Sequence, residues 1–178
     1  MRAPVTRSRR SPSVLGWLLG LLMAVVHAQA WAAGELEAKI KAAYVFHVLK
    51  FVDWPQAGNE PLRLCVVGTD PVAQLLAELS GKQIKERSLR VDMDPGTDFG
   101  GCHVLFIGRS ERRWHDILGR LRGNVLTISD ADGFASAGGI VGFFSDSGRI
   151  KLDINPDAAR QANLKISAKL LELARTVQ

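Results

Sequence analysis

The sequence predicts an α/β fold, a single-domain three-layer sandwich with a mainly parallel, Rossmann-like sheet, flanking helices and a C-terminal antiparallel hairpin. Short apolar runs rich in β-branched residues, typical of buried strands, are interspersed with segments of helical periodicity. Some of these runs are apolar throughout, as in parallel strands covered on both faces. Near the C-terminus apolar and charged residues alternate instead, which indicates an antiparallel strand with one face in water.

The first residues have the parts of a secretory signal peptide. Four arginines precede an apolar run over residues 14–26, which ends in two small-residue sites at Ala30 and Ala32. We therefore predict a signal peptide at residues 1–32, cleaved after Ala30 or Ala32, and one domain at residues 33–178. The alternative is a retained N-terminal anchor, which requires signal peptidase to ignore both sites.

The charge of the exported part is close to neutral. The full chain has 23 basic and 18 acidic residues, a net charge of +5, but residues 1–33 contain four arginines and no acid. The remainder therefore carries 19 minus 18, or +1. This balance gives no electrostatic basis for binding nucleic acid or an anionic membrane.

The first predicted helix starts near Glu35 and is apolar over most of its circumference. Phe51 and Trp54 lie on one apolar stripe and Val48 lies on the other. Such a helix is either buried against a sheet or keeps one face for a partner. Pro55 predicts its end, because the residue before a proline disfavours the helical conformation.

The remaining strands and helices follow in order along the chain. The apolar runs predict parallel strands at Leu62–Val67, Leu89–Met93, Val104–Ile107 and Val125–Ile128. Helical periodicity predicts helices at Pro71–Leu79 and Glu111–Leu121. The antiparallel hairpin has its predicted strands at Ile140–Phe144 and Arg149–Ile154.

Two short helices are predicted after the hairpin. Asn155 can cap the first, with a proline at the first helical position, and the helix continues to about Ala162. Asn163 tolerates the left-handed conformation that ends a helix. Ser167 can cap the second helix, which is predicted to run through Ala174.

No catalytic, metal-binding or cofactor motif is recognisable. The segment Gly68–Pro71 has the strand–turn–helix shape of a nucleotide-binding corner but lacks the glycine pattern or lysine of such sites. Cysteine and histidine spacings fit neither a zinc site nor a redox C-x-x-C. The arginine-rich segment 109–122 is more simply a solvated face than an anion site. We expect a protein that is not an enzyme and needs no cofactor or metal.

The two cysteines, Cys65 and Cys102, are an even number in an exported chain, which favours a disulfide. Two free buried thiols are the alternative. Cys65 lies in the first parallel strand and Cys102 just before the third. In a doubly wound sheet these strands can be neighbours, which brings Cα atoms within the roughly 4.4–6.8 Å of a disulfide. The bond would be either structural or an oxidation-sensitive switch.

Six segments follow one another along the chain after the predicted signal peptide: KAAYVFHVLKFVDWP, LRLCVVGTDP, GCHVLFIG, VLTISD, GGIVGFF and INPDAARQANLKISAKLLELA. In this order they resemble the YfiR-like family of periplasmic proteins, and the resemblance covers essentially all of the chain after the signal peptide. Its most specific parts are the aromatic–proline end of the first segment and the motif residues Asn155, Arg160 and Ser167. Cys65 and Cys102 match one cysteine pair of the family, while residues 143–152 lack a second pair that some members have.

The resemblance implies a periplasmic repressor that binds the periplasmic part of an inner-membrane diguanylate cyclase of the YfiN type. Repression lowers cyclic-di-GMP, exopolysaccharide and biofilm, and an outer-membrane lipoprotein sequesters the repressor. In the family, redox state is linked to stability or activity through the cysteines. We expect Phe51 and Trp54 to contribute to partner binding, and the sequence leaves open whether the protein is a homodimer. The alternative is a periplasmic module that binds a small molecule, a nucleotide or an aromatic amino acid, at Gly68–Pro71 or Trp54.

Overall fold

The computed structural model describes residues 33–55, 58 and 60–177, so the predicted signal peptide lies outside the described residues. Glu37–Gln178 form one compact unit, and the described part of the preceding unit, residues 33–36, is helical. Within the described residues, no helix is long and apolar enough to cross a bilayer.

The strands in chain order are β1 (Val52–Asp53), β2 (Leu62–Val67), β3 (Gln83–Ile84), β4 (Arg87–Asp92), β5 (Val104–Ile107), β6 (Leu126–Ser129), β7 (Val141–Asp146), β8 (Arg149–Ile154), β9 (Lys165–Ile166) and β10 (Arg175–Thr176). The helices are α1 (residues 33–50), α2 (Pro71–Leu76, followed by a 3₁₀ turn at Ala77–Leu79), α3 (Trp114–Arg120), α4 (Pro156–Gln161) and α5 (Ala168–Glu172).

Eight strands form one sheet in the order β10-β8-β7-β6-β5-β2-β4-β3, and β1 pairs separately with β9. The strands from β4 across to β7 are parallel neighbours, while β8 is antiparallel to β7. The chain passes from β2 to β4 on one side and then to β5 on the other, so β2 and β5 flank a topological switch point. The predicted fold class, a mainly parallel sheet with flanking helices and a C-terminal hairpin, is confirmed.

The two faces of the sheet are covered unequally. One face packs against α1, α2, α4 and α5, which together with the sheet form the main apolar core. The other face has a smaller core, built around both cysteines and Phe134 and covered by α3, whose residues are all at least partly exposed. Apolar side chains on a parallel strand alternate between these two cores, which explains why β5 and residues 64–67 of β2 are apolar throughout.

The first helix ends earlier than predicted. Helical residues stop at residue 50, Phe51 lies in a turn, and Val52–Asp53 form β1, which pairs antiparallel with Lys165–Ile166. The carbonyl of Phe51 accepts the Ser167 backbone N–H at 2.9 Å. Long-range pairing with β9, a strand that the sequence did not predict, therefore replaces the last helical turn, and the aromatic stripe that included Phe51 and Trp54 is not helical there.

Other boundaries shift slightly. β2, β5 and β8 have their predicted bounds, whereas β4 starts two residues early, β6 starts one residue late, and α3 is shorter than its apolar pattern. The predicted hairpin is confirmed, and its turn residues Ser147 and Gly148 both have positive φ, as in a type I′ turn. Asp153 is one of the charged residues that alternate with apolar ones in β8, where the alternation predicted a face in water. It is buried instead, because β10 lies beside it and Arg175 pairs with it through two contacts of 2.7 Å.

Candidate protein-binding site

Trp54 lies just after β1 and is half-buried against the main core. Its indole Nε1–H donates to the backbone carbonyl of His103 at 3.2 Å. The same carbonyl also accepts the backbone N–H of Leu126 at 2.9 Å. The ring is therefore held at its polar edge while part of its apolar face stays accessible, the arrangement that makes tryptophan effective at protein interfaces.

His103 links three parts of the chain around Trp54. Its backbone N–H donates to the carbonyl of Arg63 at 3.0 Å, and its Nδ1 accepts the backbone N–H of Arg63 at 3.1 Å. Its Nε2 lies 3.0 Å from Nη2 of Arg87. Burial of the ring lowers the pKa of His103, the positive charges of Arg87 and Arg63 lower it further, and Glu60 opposes the change. The neutral form of the ring is thus favoured beside two arginines.

A cleft of about 320 Å³ lies beside Trp54. It is lined by Val52, Asp53, Trp54, Leu62, Ile84, Lys85 and Arg87. Val52, Leu62 and Ile84 are at most 2% exposed, so Trp54 supplies most of the apolar surface that remains open. Lys85 at the rim donates to the Val52 carbonyl at 3.0 Å and pairs with Asp53.

Phe51 does not line this cleft. It is half-buried against the main core, and its backbone is tied to Ser167. The structure thus brings Phe51 to the β1–β9 pair and Trp54 to the cleft beside β3 and β4, so the two aromatic residues named as binding candidates have different surroundings. Their role in partner binding stays a prediction.

Cys65 and Cys102 form a disulfide with a Cα–Cα distance of 5.9 Å. Neighbouring strands β2 and β5 bring them together, since Cys65 pairs in register with Leu105 and Cys102 lies two residues before β5. Cys65 is 0% exposed and Cys102 is 5% exposed. Because Cys102 directly precedes His103, the disulfide anchors the segment that holds the Trp54 indole.

The family-motif residues have structural contacts in the C-terminal part. Asn155 caps α4 by accepting the Ala158 backbone N–H at 2.9 Å, and its side-chain amide donates to the Ala135 carbonyl at 3.0 Å. Ser167 caps α5 through Leu170. Arg160 is exposed and pairs with Asp157 on the same helix. None of these three side chains lines the Trp54 cleft.

Two of the capping predictions made for this region are confirmed with their mechanism. Asn155 and Ser167 have extended backbone conformations and side-chain bonds to the first helical turn, as N-caps require. Asn163 has a φ of 52°, the left-handed conformation expected of a residue that ends α4. The motif therefore shapes the chain reversal that places β9 beside β1.

The corner at Gly68–Pro71 is filled by protein side chains. Asp70 caps α2 through the Ala73 N–H at 3.2 Å, and its other oxygen lies 3.2 Å from Ser110 Oγ. A Cβ atom on Gly108 would lie 1.8 Å from the Asp70 carboxylate, which shows how tightly that side chain occupies the corner. A phosphate at this position would meet a carboxylate, so the geometry disfavours a nucleotide here.

A buried ion pair lies at the carboxyl end of β6. The Lys41 ammonium lies 2.7 Å from Glu37 and 3.5 Å from Asp130, and the Arg109 backbone N–H donates to Asp130 at 2.8 Å. The side chains of Lys41 and Asp130 are each 5% exposed. Burial raises the pKa of Asp130, as does the charge of Asp70, whereas Lys41 and Arg109 oppose the change. This pair joins α1 to the sheet.

Residues that sequence reasoning missed are those brought to Trp54 by strand pairing. His103 directly precedes β5 and Arg87 begins β4, two strands that are not neighbours in the sheet. The two residues are 16 apart in the chain, and no local spacing connects them with Trp54. The available signal was a histidine directly before a buried strand, whereas the histidine spacings were considered only for a zinc site. Within the described residues, no group of three or more His, Cys, Asp or Glu is placed to hold a metal ion.

The chain is similar to a known protein family. Residues 38–175, or 138 of the 178 residues, match the family model described as YfiR/HmsC-like. The matched span runs from α1 to the start of β10 and includes every candidate residue named above. A search of curated proteins finds no match.

Proposed function

The chain belongs to the YfiR/HmsC-like family, as its motifs predicted, and on this premise we propose that it is a periplasmic regulator that binds and represses an inner-membrane diguanylate cyclase. The cyclase is of the YfiN type, and the protein binds its periplasmic part. Repression lowers cyclic-di-GMP and with it exopolysaccharide and biofilm. The observation that carries this proposal is the family match over almost the whole folded unit.

The geometry is compatible with binding rather than catalysis. The cleft beside Trp54 combines an accessible aromatic face with charged groups at its rim, as anchors of protein interfaces do. Because the exported part carries a net charge of only +1, long-range steering is weak and the complex must depend on local contacts of this kind. An outer-membrane lipoprotein that sequesters the regulator, and a homodimer, belong to the same proposal.

Deletion of the gene tests the proposal. Cyclic-di-GMP and surface adhesion should rise on deletion, and both changes should disappear when the cyclase gene is deleted as well. Affinity capture of the tagged protein from intact cells should recover the cyclase. Unchanged cyclic-di-GMP in cells that express the cyclase would contradict the repressor function.

Binding of a small molecule is the competing proposal. Of the two locations considered for it, the Trp54 cleft is open, whereas the Gly68–Pro71 corner is filled by side chains. A thermal-shift titration with nucleotides and aromatic amino acids separates the two. A saturable rise in Tm with a free ligand, combined with unchanged cyclic-di-GMP on deletion, would favour the binding module.

A further inference from the structure

The contact between His103 and Arg87 brings two hydrogen-bond donors together. Nδ1 of His103 accepts the Arg63 backbone N–H, so the neutral ring carries its proton on Nε2. Nε2–H then faces Nη2 of Arg87 at 3.0 Å, and a guanidinium can only donate. Neither group offers the other a hydrogen-bond acceptor, and both can donate to an acceptor placed beside them.

Arg87 has no carboxylate partner among residues 33–55, 58 and 60–177. Its Nε donates to the Glu60 carbonyl at 2.6 Å and its Nη2 lies 3.5 Å from the Pro61 carbonyl, but no ion pair reaches it. Its charged neighbours differ in this respect, since Arg63 pairs with Asp92 and Lys85 pairs with Asp53. Among the charged side chains of the described residues that line the cleft, Arg87 is therefore the one without an ion pair.

The same Arg87 lines the cleft whose open apolar surface comes from Trp54. We infer that this cleft binds a segment of the protein partner in which an apolar side chain packs on Trp54 and an adjacent carboxylate is received by Arg87 and His103. This inference rests on the proposed function and specifies the chemistry of the partner. The volume of about 320 Å³ is at the small end of the roughly 300–1,000 Å³ of ligand pockets, which suits one large side chain.

A carboxylate of the partner supplies the acceptor that the two donors lack, and this requirement makes the cleft specific for an acidic side chain. It accepts from the guanidinium and from Nε2–H of His103, and such charge-assisted bonds are stronger than neutral ones. An amide in its place offers one acceptor and brings further donors to a site that already has too many. The cleft therefore selects an acidic segment over its uncharged analogue.

Peptide titration of the wild-type protein without its signal peptide tests the inference. The probes are acetyl-Leu-Glu-amide and acetyl-Leu-Gln-amide, and the observable is the indole N–H resonance of Trp54, assigned with a Trp54→Phe variant. The acidic peptide should shift this resonance saturably and bind about tenfold or more tightly than the amide peptide, the factor expected for a charge-assisted hydrogen bond. Equal affinities, or a shift absent from Trp54, would overturn the inference.

A matched pair of variants tests it in cells. Arg87→Gln should raise cyclic-di-GMP toward the level of the gene deletion, whereas Arg90→Gln, an exposed arginine on the same strand, should repress normally. The two variants are compared only if their protein levels and Tm values are equal. If Arg87→Gln is unstable, the peptide titration of the wild-type protein decides the inference instead. If deletion leaves cyclic-di-GMP unchanged, the proposed function fails. If deletion raises it but Arg87→Gln represses like Arg90→Gln, only the cleft inference fails.

Discussion

Removal of the Cys65–Cys102 disulfide should lower the free energy of unfolding by about 2–4 kcal/mol. The bond closes a loop over a sequence separation of 37. In the chain-entropy model such a loop restricts the unfolded chain by about 13 cal/mol/K, which corresponds to about 4 kcal/mol at 25 °C. Measured effects are often smaller than this limit because the unfolded chain retains structure.

Denaturant unfolding of three samples isolates the contribution of the cross-link. Oxidised wild type, reduced wild type and the Cys65→Ala/Cys102→Ala double variant are compared at one pH. Reduced wild type keeps both sulfur atoms in the core, so its decrease in unfolding free energy reports the cross-link alone. The double variant also loses the packing of the two sulfur atoms. The chain has no other cysteine, so a reductant acts on this bond alone. Tm should fall by about 2–4 °C per kcal/mol for a domain of this size.

Burial of the sulfur atoms makes a second part of the same prediction. Since Cys65 is 0% exposed and Cys102 is 5% exposed, a thiol reagent reaches the bond only when the protein opens locally. Reduction of the native protein should therefore be much slower than reduction in denaturant. Equal stability of the oxidised and reduced forms, together with reduction as fast as in denaturant, would refute this reasoning and favour an exposed redox switch.

Further predictions concern charge, pH and processing. Lys41→Met should lower the unfolding free energy by about 3–5 kcal/mol in denaturant titration because it leaves the buried Asp130 carboxylate without its buried cationic partner, whereas Lys169→Met on the exposed face of α5 should change it by less than about 0.5 kcal/mol. Since the folded-state pKa of His103 is lowered, stability should fall as the pH drops from the unfolded value of about 6.5 toward the folded value, and His103→Gln should reduce this dependence. The intact mass of periplasmic protein should correspond to cleavage after Ala30 or Ala32, and a product that retains the leader would contradict export with processing.

The elements best predicted from the sequence are those with a local cause. β5 is a continuous apolar run and β2 is apolar except at Arg63, and the bounds of both strands follow from their composition. The caps of α4 and α5 depend on single side chains, Asn155 and Ser167, acting within one helical turn. The end of α1 was not predictable in this way, because β1 exists only through pairing with a two-residue strand more than 100 residues away.

The candidate site was predicted in part. Trp54 stands out as a large aromatic residue before a proline, and the positions of Cys65 in one strand and of Cys102 just before another follow from the predicted sheet. The residues near Trp54 depend on the order of the strands. β4 and β5 lie on either side of β2, and this order brings Arg87 of β4 within 3.0 Å of His103, which precedes β5. Sheet order is a property of the whole chain, so no local motif reveals that these two donors face each other.

The position of His103 couples the disulfide to the cleft. Cys102 precedes the residue whose carbonyl holds the Trp54 indole and whose ring lies beside Arg87. We therefore expect loss of the bond to loosen the positions of Trp54 and Arg87 and also to lower stability. A cysteine variant that fails to repress the cyclase therefore has two physical explanations, loss of folded protein and loss of cleft geometry. The unfolding free energy and the Trp54 indole resonance, measured on one sample, separate them. A variant that is fully folded but has a shifted Trp54 resonance assigns the failure to the cleft.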